Sequence, residues 1–172
     1  MLEQHTYTTF SITLERNKMQ RAFLDEVKNF LENEPLESKI YIGVDSERYK
    51  KKGKWFADYT IAVVVHKNGN NGCKIFGGVE SEQDFDAKSN KPMLRMMNEV
   101  YRAAEVYLAL AEFIVDREVE IHLDINPNEL HGSSCAMQQA VGYIKGVCGH
   151  TPRLKPQAFA ASYAADRLKS II

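Results

Sequence analysis

The 172-residue sequence is poor in cysteine, has almost no net charge and contains no long apolar run, and each lack excludes something. Its three cysteines, Cys73, Cys135 and Cys148, lie far apart, form no CxxC pair and are odd in number. They make neither a disulfide framework nor a structural zinc site, and are expected as isolated thiols in a reducing compartment. A net charge of −1 removes any global pull toward nucleic acid or anionic lipid. Such a partner would have to be met by a local basic patch or through metal ions. No stretch approaches the ~18 apolar residues of a membrane span. The first ten residues, MLEQHTYTTF, have no signal-peptide h-region. The expectation is a cytoplasmic protein with no membrane partner. Internal repeats, low-complexity segments and interdomain linkers are also absent.

What is present is an ordinary globular composition, 44% hydrophobic and 26% charged, long enough to bury a core. Residues 15–34 carry Met19, Phe23, Val27, Phe30 and Leu31 at helical spacing, and Pro35 stops the run. IYIGVD at 40–45 alternates as a strand. RYKKKGK reads as a polar turn, WFADYTIAVVVHK as a long strand, and NGNNG as a turn before CKIFGGV. These predict an antiparallel three-strand meander. A long helix is expected from about Pro92 to Val115, proline suiting its start. The segment EVEIHLDINP is a further strand. GSSCAMQQAVGYIKGVCG is a helix with serine at its entry and glycine at its exit. PRLKP reads as a short fifth strand and ASYAADRLKS as a last helix with Ser162 as its cap. The order is α-β-β-β-α-β-α-β-α, an α/β fold, with residues 1–38 a helical extension and 39–172 the main domain.

Two of these strands end on an acid. In the first, Ile40, Ile42 and Val44 alternate toward Asp45. In the second, Val119, Ile121 and Leu123 take one face, and Glu120, His122 and Asp124 the other. If the two strands pair in parallel, Asp45 and Asp124 stand on neighbours ~5 Å apart. The meander and helix between them supply the long crossover that parallel pairing needs. Charges that close repel, and a divalent cation bound by oxygen, magnesium or manganese, is the usual remedy. Glu99 in the long helix and Asp166 in the last helix are candidates to complete such a site. Glu105 and Glu112 compete for the helical role, and surface pairing of Glu99 with Arg95 or Arg102 is the plain alternative.

This order of elements resembles the ribonuclease-H-like fold. IGVDSE, HLDINPNELHGSS, AVGYIKG, LKP and AFAASYAADR, spread from Ile40 to Lys169, are similar to the YkuK-like branch of that superfamily. GVDSE differs in carrying Glu47 where an amide is more usual. The resemblance implies a mixed five-stranded sheet flanked by helices, with the first helix as an addition. It also implies that Asp45, Glu99, Asp124 and Asp166 surround two magnesium or manganese ions ~3.5–4 Å apart and hydrolyse phosphodiester bonds. Asp45 would bridge the ions, Glu99 and Asp124 would hold one, and Asp166 the other. The implied partner is a nucleic acid or a nucleotide-like substrate. The rival expectation is a module of the same fold that binds such a ligand without turnover.

Other residues have two readings each. Lys155 and Arg167 are candidate phosphate contacts beside the acids. Ser133 and Ser134 either cap a helix or hold a phosphate on backbone amides. His122 is expected as a hydrogen-bonded histidine beneath the site, and His150 as a residue that reaches substrate. Lys50, Lys51, Lys52 and Lys54, with Trp55 and Phe56, either track a phosphate backbone or form a solvated hairpin tip.

Overall fold

The computed structural model describes residues 22–69 and 71–171. The first helix, α1, runs over 22–31 within that range, so Met19 and the stretch 15–21 lie outside the described residues. Phe23, Val27 and Leu31 recur at four-residue spacing and are buried, with Leu24 beside them. The chain leaves the helix ahead of Pro35. Arg117 then closes its end, donating to the carbonyls of Leu31 at 2.9 Å, Glu34 at 2.7 Å and Pro35. Leu31 O and Pro35 O also accept from the backbone N–H groups of Glu34 and Ser38, at 3.2 and 3.1 Å, so Arg117 adds a second donor to each.

The meander forms as expected from β1 (Lys39–Lys51), β2 (Lys54–His66) and β3 (Cys73–Gln83). After α2 (Met93–Ile114), β4 (Val119–Leu123) joins the other edge. The order is β3-β2-β1-β4, antiparallel throughout the meander and parallel between β1 and β4. The sheet is therefore mixed, and it corrects two expectations. First, β1 does not end at Asp45. It continues to Lys51, paired with β2 down to Lys51 opposite Lys54. Lys52 and Gly53 close the hairpin with φ of 47° and 79°, the twist a two-residue turn between right-twisted strands requires.

Second, the described residues contain four strands rather than five. PRLKP contributes only a parallel bridge between His122 and Arg153. Arg153 N–H donates to Ile121 O at 2.8 Å, and its carbonyl accepts from Leu123 N–H at 2.9 Å. Pro152 and Pro156 flank this contact and have no N–H to extend a ladder in either direction.

Helices cover both faces of the sheet unequally. On one face α1, α2 and α3 (Met137–Cys148) enclose a large core that includes Val27, Ile42, Ile61, Val100, Leu110 and Ile144. Gly149, left-handed at φ 72°, ends α3. On the other face a π-turn, Ala160–Ala164, runs directly into the short α4, Ala165–Lys169. This side is a thin layer of Ala62, Val64, Ala160, Ala164 and Leu168. It sits very close to the sheet. A Cβ on Gly43 would lie 2.3 Å from Ala161 N and 2.4 Å from Ala160 C, so glycine is the residue that admits this approach. Cys73 and Cys135 are exposed and Cys148 is buried, all three as free thiols. No helix among the described residues is long and apolar enough to cross a membrane.

Candidate functional site

The β1–β4 ladder ends at Val44 opposite Leu123, so Asp45 and Asp124 follow it on adjacent parallel strands. There β4 stops while β1 runs on, and a cleft of about 620 Å³ opens in the gap. Asp45, Asp124, Lys155, Ser133, Ser134 and Arg95 are among the residues that line it. The pairing expected from two acid-tipped strands is therefore present, although only one of them actually ends.

Each aspartate is matched with a lysine from the C-terminal quarter of the chain. Lys169 Nζ lies 2.7 Å from Asp45 Oδ2, and Lys155 Nζ 2.8 Å from Asp124 Oδ1. Ser162 Oγ also donates to Asp124 Oδ1, at 2.9 Å. Burial pushes the Asp45 acid up from its ordinary value, against the pull of Lys169, with Asp124 and Asp166 adding repulsion. Burial pulls the Lys169 ammonium down, but Asp45 more than offsets it and the net shift is upward.

Glu99 enters from α2, on the other side of β1. It is 2% exposed, whereas Glu105 and Glu112 on the same helix are exposed. Ser46 Oγ donates to Glu99 Oε1 at 2.5 Å, and Arg95 Nη1 lies 2.8 Å from both Ser46 O and Ser46 Oγ. Burial raises the Glu99 acid well above the ordinary range; the charges of Asp45 and Asp124 push the same way, and the Ser46 hydrogen bond opposes them. Arg102, the alternative partner, is engaged with Glu80 at 2.9 Å and Glu82 at 2.6 Å. Asp166 lies at the surface, its side chain 69% exposed and 3.6 Å from Lys169 Nζ. Glu99, Asp166 and the exposed Arg167 do not line the cleft. Among the described residues no three His, Cys, Asp or Glu side chains converge closely enough to hold a metal ion.

Several polar residues have roles other than those expected. Ser133 does not cap α3: its Oγ accepts from Asn126 N–H at 3.0 Å and fixes the loop after β4. The Ser134 amide is committed to His131 O at 3.1 Å. Ser162 is not a helix cap either, because the π-turn directs it to Asp124. His150 is paired with Tyr107 at 3.0 Å and does not line the cleft. His122 is the buried histidine expected. Ala160 N–H donates to its Nδ1 at 3.0 Å, which leaves the proton on Nε2, 3.2 Å from Glu120 Oε2. Both ring nitrogens are engaged and burial holds its pKa down, so the ring serves as a neutral brace. On Glu120, burial is outweighed by His122 and Arg153, and its acid is lowered.

The sequence reading missed Lys169 and Ser162 as neighbours of the acids, and offered Arg95 only as a surface partner of Glu99. Their signals are weak: Lys169 is three residues after Asp166, and Arg95 one helical turn before Glu99.

A family model described as Ribonuclease H-like matches residues 22–170. No curated protein and no solved structure matches the chain.

Proposed function

The chain belongs to the ribonuclease-H-like family, in its YkuK-like branch, and on that premise we propose that it hydrolyses phosphodiester bonds with magnesium or manganese. The observation that carries the reading is the in-register step from Val44 and Leu123 to Asp45 and Asp124 at the mouth of the cleft. The donors fit a hard divalent cation. They are carboxylates only, the charge of Asp124 makes both Asp45 and Glu99 harder to ionise, and Asp45 and Asp124 already attract two ammonium groups. Asp45 and Asp124 would hold the cation, with Glu99 behind them and Asp166 at the surface. A bound cation supplies charge neutralisation and a more acidic water. The chain's own residues then have separate tasks. Ser162 orients Asp124, and Ser46 and Arg95 position Glu99. Lys155 and Lys169, displaced from the acids, are left to face the phosphate.

The same lysines favour a second reading, a module that binds a nucleic acid or nucleotide-like ligand without turnover, because they already neutralise Asp45 and Asp124 without any cation. Manganese calorimetry on the native protein, Asp45→Asn and Asp124→Asn, followed by a cleavage assay on labelled RNA and DNA, separates the two. The nuclease reading expects binding and cleavage in the native protein and loss of both in each variant. Each variant should stay folded, since a partly exposed ion pair contributes about 1 kcal/mol or less. Cleavage that survives in both variants sinks the assignment. Ligand binding with no metal uptake and no turnover establishes the second reading.

A further inference from the structure

The β1–β2 hairpin continues six residues past Asp45 to Lys51, and its tip, Lys50–Trp55, extends past the last β2–β3 pair, Phe56 with Gln83. Residues 50–55 are all exposed, and four of them are lysines: Lys50, Lys51, Lys52 and Lys54. This is a concentrated positive charge in a chain whose net charge is −1. A solvated tip would account for the lysines but not for the tryptophan they surround. Trp55 is the only tryptophan of the sequence and is 42% exposed.

That indole is held in place. The Arg48 guanidinium lies 4.3 Å from its ring centroid and Lys50 Nζ 5.7 Å. Arg48 is anchored by Asp84 Oδ2 at 2.6 Å, a carboxylate whose side chain is 1% exposed, and by Asp86 O at 2.9 Å. Trp55 O accepts from Asp84 N–H at 2.9 Å, and the next residue, Phe85, is 68% exposed. Trp55 is thus set among four lysines and stiffened by the Arg48–Asp84 ion pair behind it, with the exposed Phe85 next in the chain to Asp84. Aromatic faces for bases and ammonium groups for phosphates are the combination that single-stranded nucleic acid requires.

We propose that the Lys50–Trp55 hairpin, with Phe85, is a single-strand nucleic-acid binding arm that stacks a base on Trp55 and leads the strand to the cleft at Asp45. The proposal rests on the reading above that nucleic acid is the substrate, and it adds where the strand is gripped. Four lysines on one hairpin also resolve how a nearly neutral protein attracts a polyanion, since a local patch serves where global charge does not.

The test is a fluorescence titration of the full chain in EDTA with a single-stranded oligonucleotide, run beside a manganese-dependent cleavage assay. Trp55 is the sole indole, so its emission reports stacking directly. Saturable quenching is expected. Trp55→Ala should weaken binding about tenfold, read by anisotropy of the labelled strand. Replacing the four lysines with alanine should flatten the salt dependence by about 0.7 in log–log slope for each phosphate no longer neutralised. These are surface changes, and circular dichroism verifies the fold. Oligonucleotide binding with unchanged Trp55 emission, or unaltered in the lysine variant, overturns the proposal and leaves the nuclease reading intact. Quenching without cleavage supports the arm and removes the nuclease. Cleavage with no hairpin effect removes the arm alone.

Discussion

The two sides of the sheet are built to opposite specifications. On the α2 side, long aliphatic side chains fill a deep layer, and the polar groups buried there are bonded in the interior, as in Ser46–Glu99 and Glu80–Arg102. On the α4 side, alanines and Gly43 let a short helix settle almost onto the strands. The thick side supplies most of the apolar burial. The thin side supplies proximity: with Ala160 and Ala161 set against Gly43, Ser162 on the π-turn and Lys169 on α4 reach Asp124 and Asp45. Stability and site geometry therefore depend on different faces, and substitutions should separate them.

The largest effect is expected on the thick side. Leu110→Ala empties a fully buried position on α2 and should cost about 2–5 kcal/mol in chemical denaturation. Manganese affinity of the molecules that remain folded should not change. A variant that lost metal affinity while staying folded would break the division. Gly43→Ala comes next, at about 1–3 kcal/mol, because its methyl meets backbone and not a flexible side chain. Here the smaller stability loss should accompany loss of cleavage, since the π-turn that carries Ser162 must move. Unchanged cleavage would show that the close approach is not needed at the site.

A sharper probe is Glu99→Gln. Burial makes the folded protein hold the Glu99 proton more tightly than the unfolded chain does. Its penalty is absent below the ordinary glutamate range and grows as pH rises through that range, levelling off above the raised folded value. The glutamine variant should therefore match the native protein near pH 4 and exceed it in melting temperature at pH 8. An equal gain at both pH values would contradict the shift. The smallest effect belongs to Lys169→Met. Removing a partly exposed ion pair should alter stability by no more than about 1 kcal/mol, while releasing Asp45 should raise manganese affinity about fivefold by calorimetry. Reduced affinity would make Lys169 a support of the site and not a competitor for it.

The thick side was the legible one. Period-two strands and a 22-residue amphipathic helix announce themselves in the residues, and the register of Asp45 with Asp124 follows from them. Glu99 was set apart from Glu105 and Glu112 only through the family resemblance; in the structure it is the buried one of the three. The thin side was not legible. Ser162 and Lys169 depend on a π-turn, whose extra residue shifts every later side chain from the helical phase the sequence suggests. The end of β1 was misread because RYKKKGK is as polar as a loop, yet an antiparallel ribbon can be exposed on both faces and remain a ribbon. The fifth strand was overread from PRLKP, without weighing the prolines at its two ends.

Arg117 has a consequence for the order of assembly. Its bonds to the end of α1 span 82 to 86 residues, and the loop they close contains β1, β2, β3 and α2. Closing so long a loop costs less once its contents are already fixed. The end of α1 is therefore expected to be among the last parts locked down. On the way out the order reverses: the amides of 22–31 should open to solvent exchange while the sheet above them is still whole.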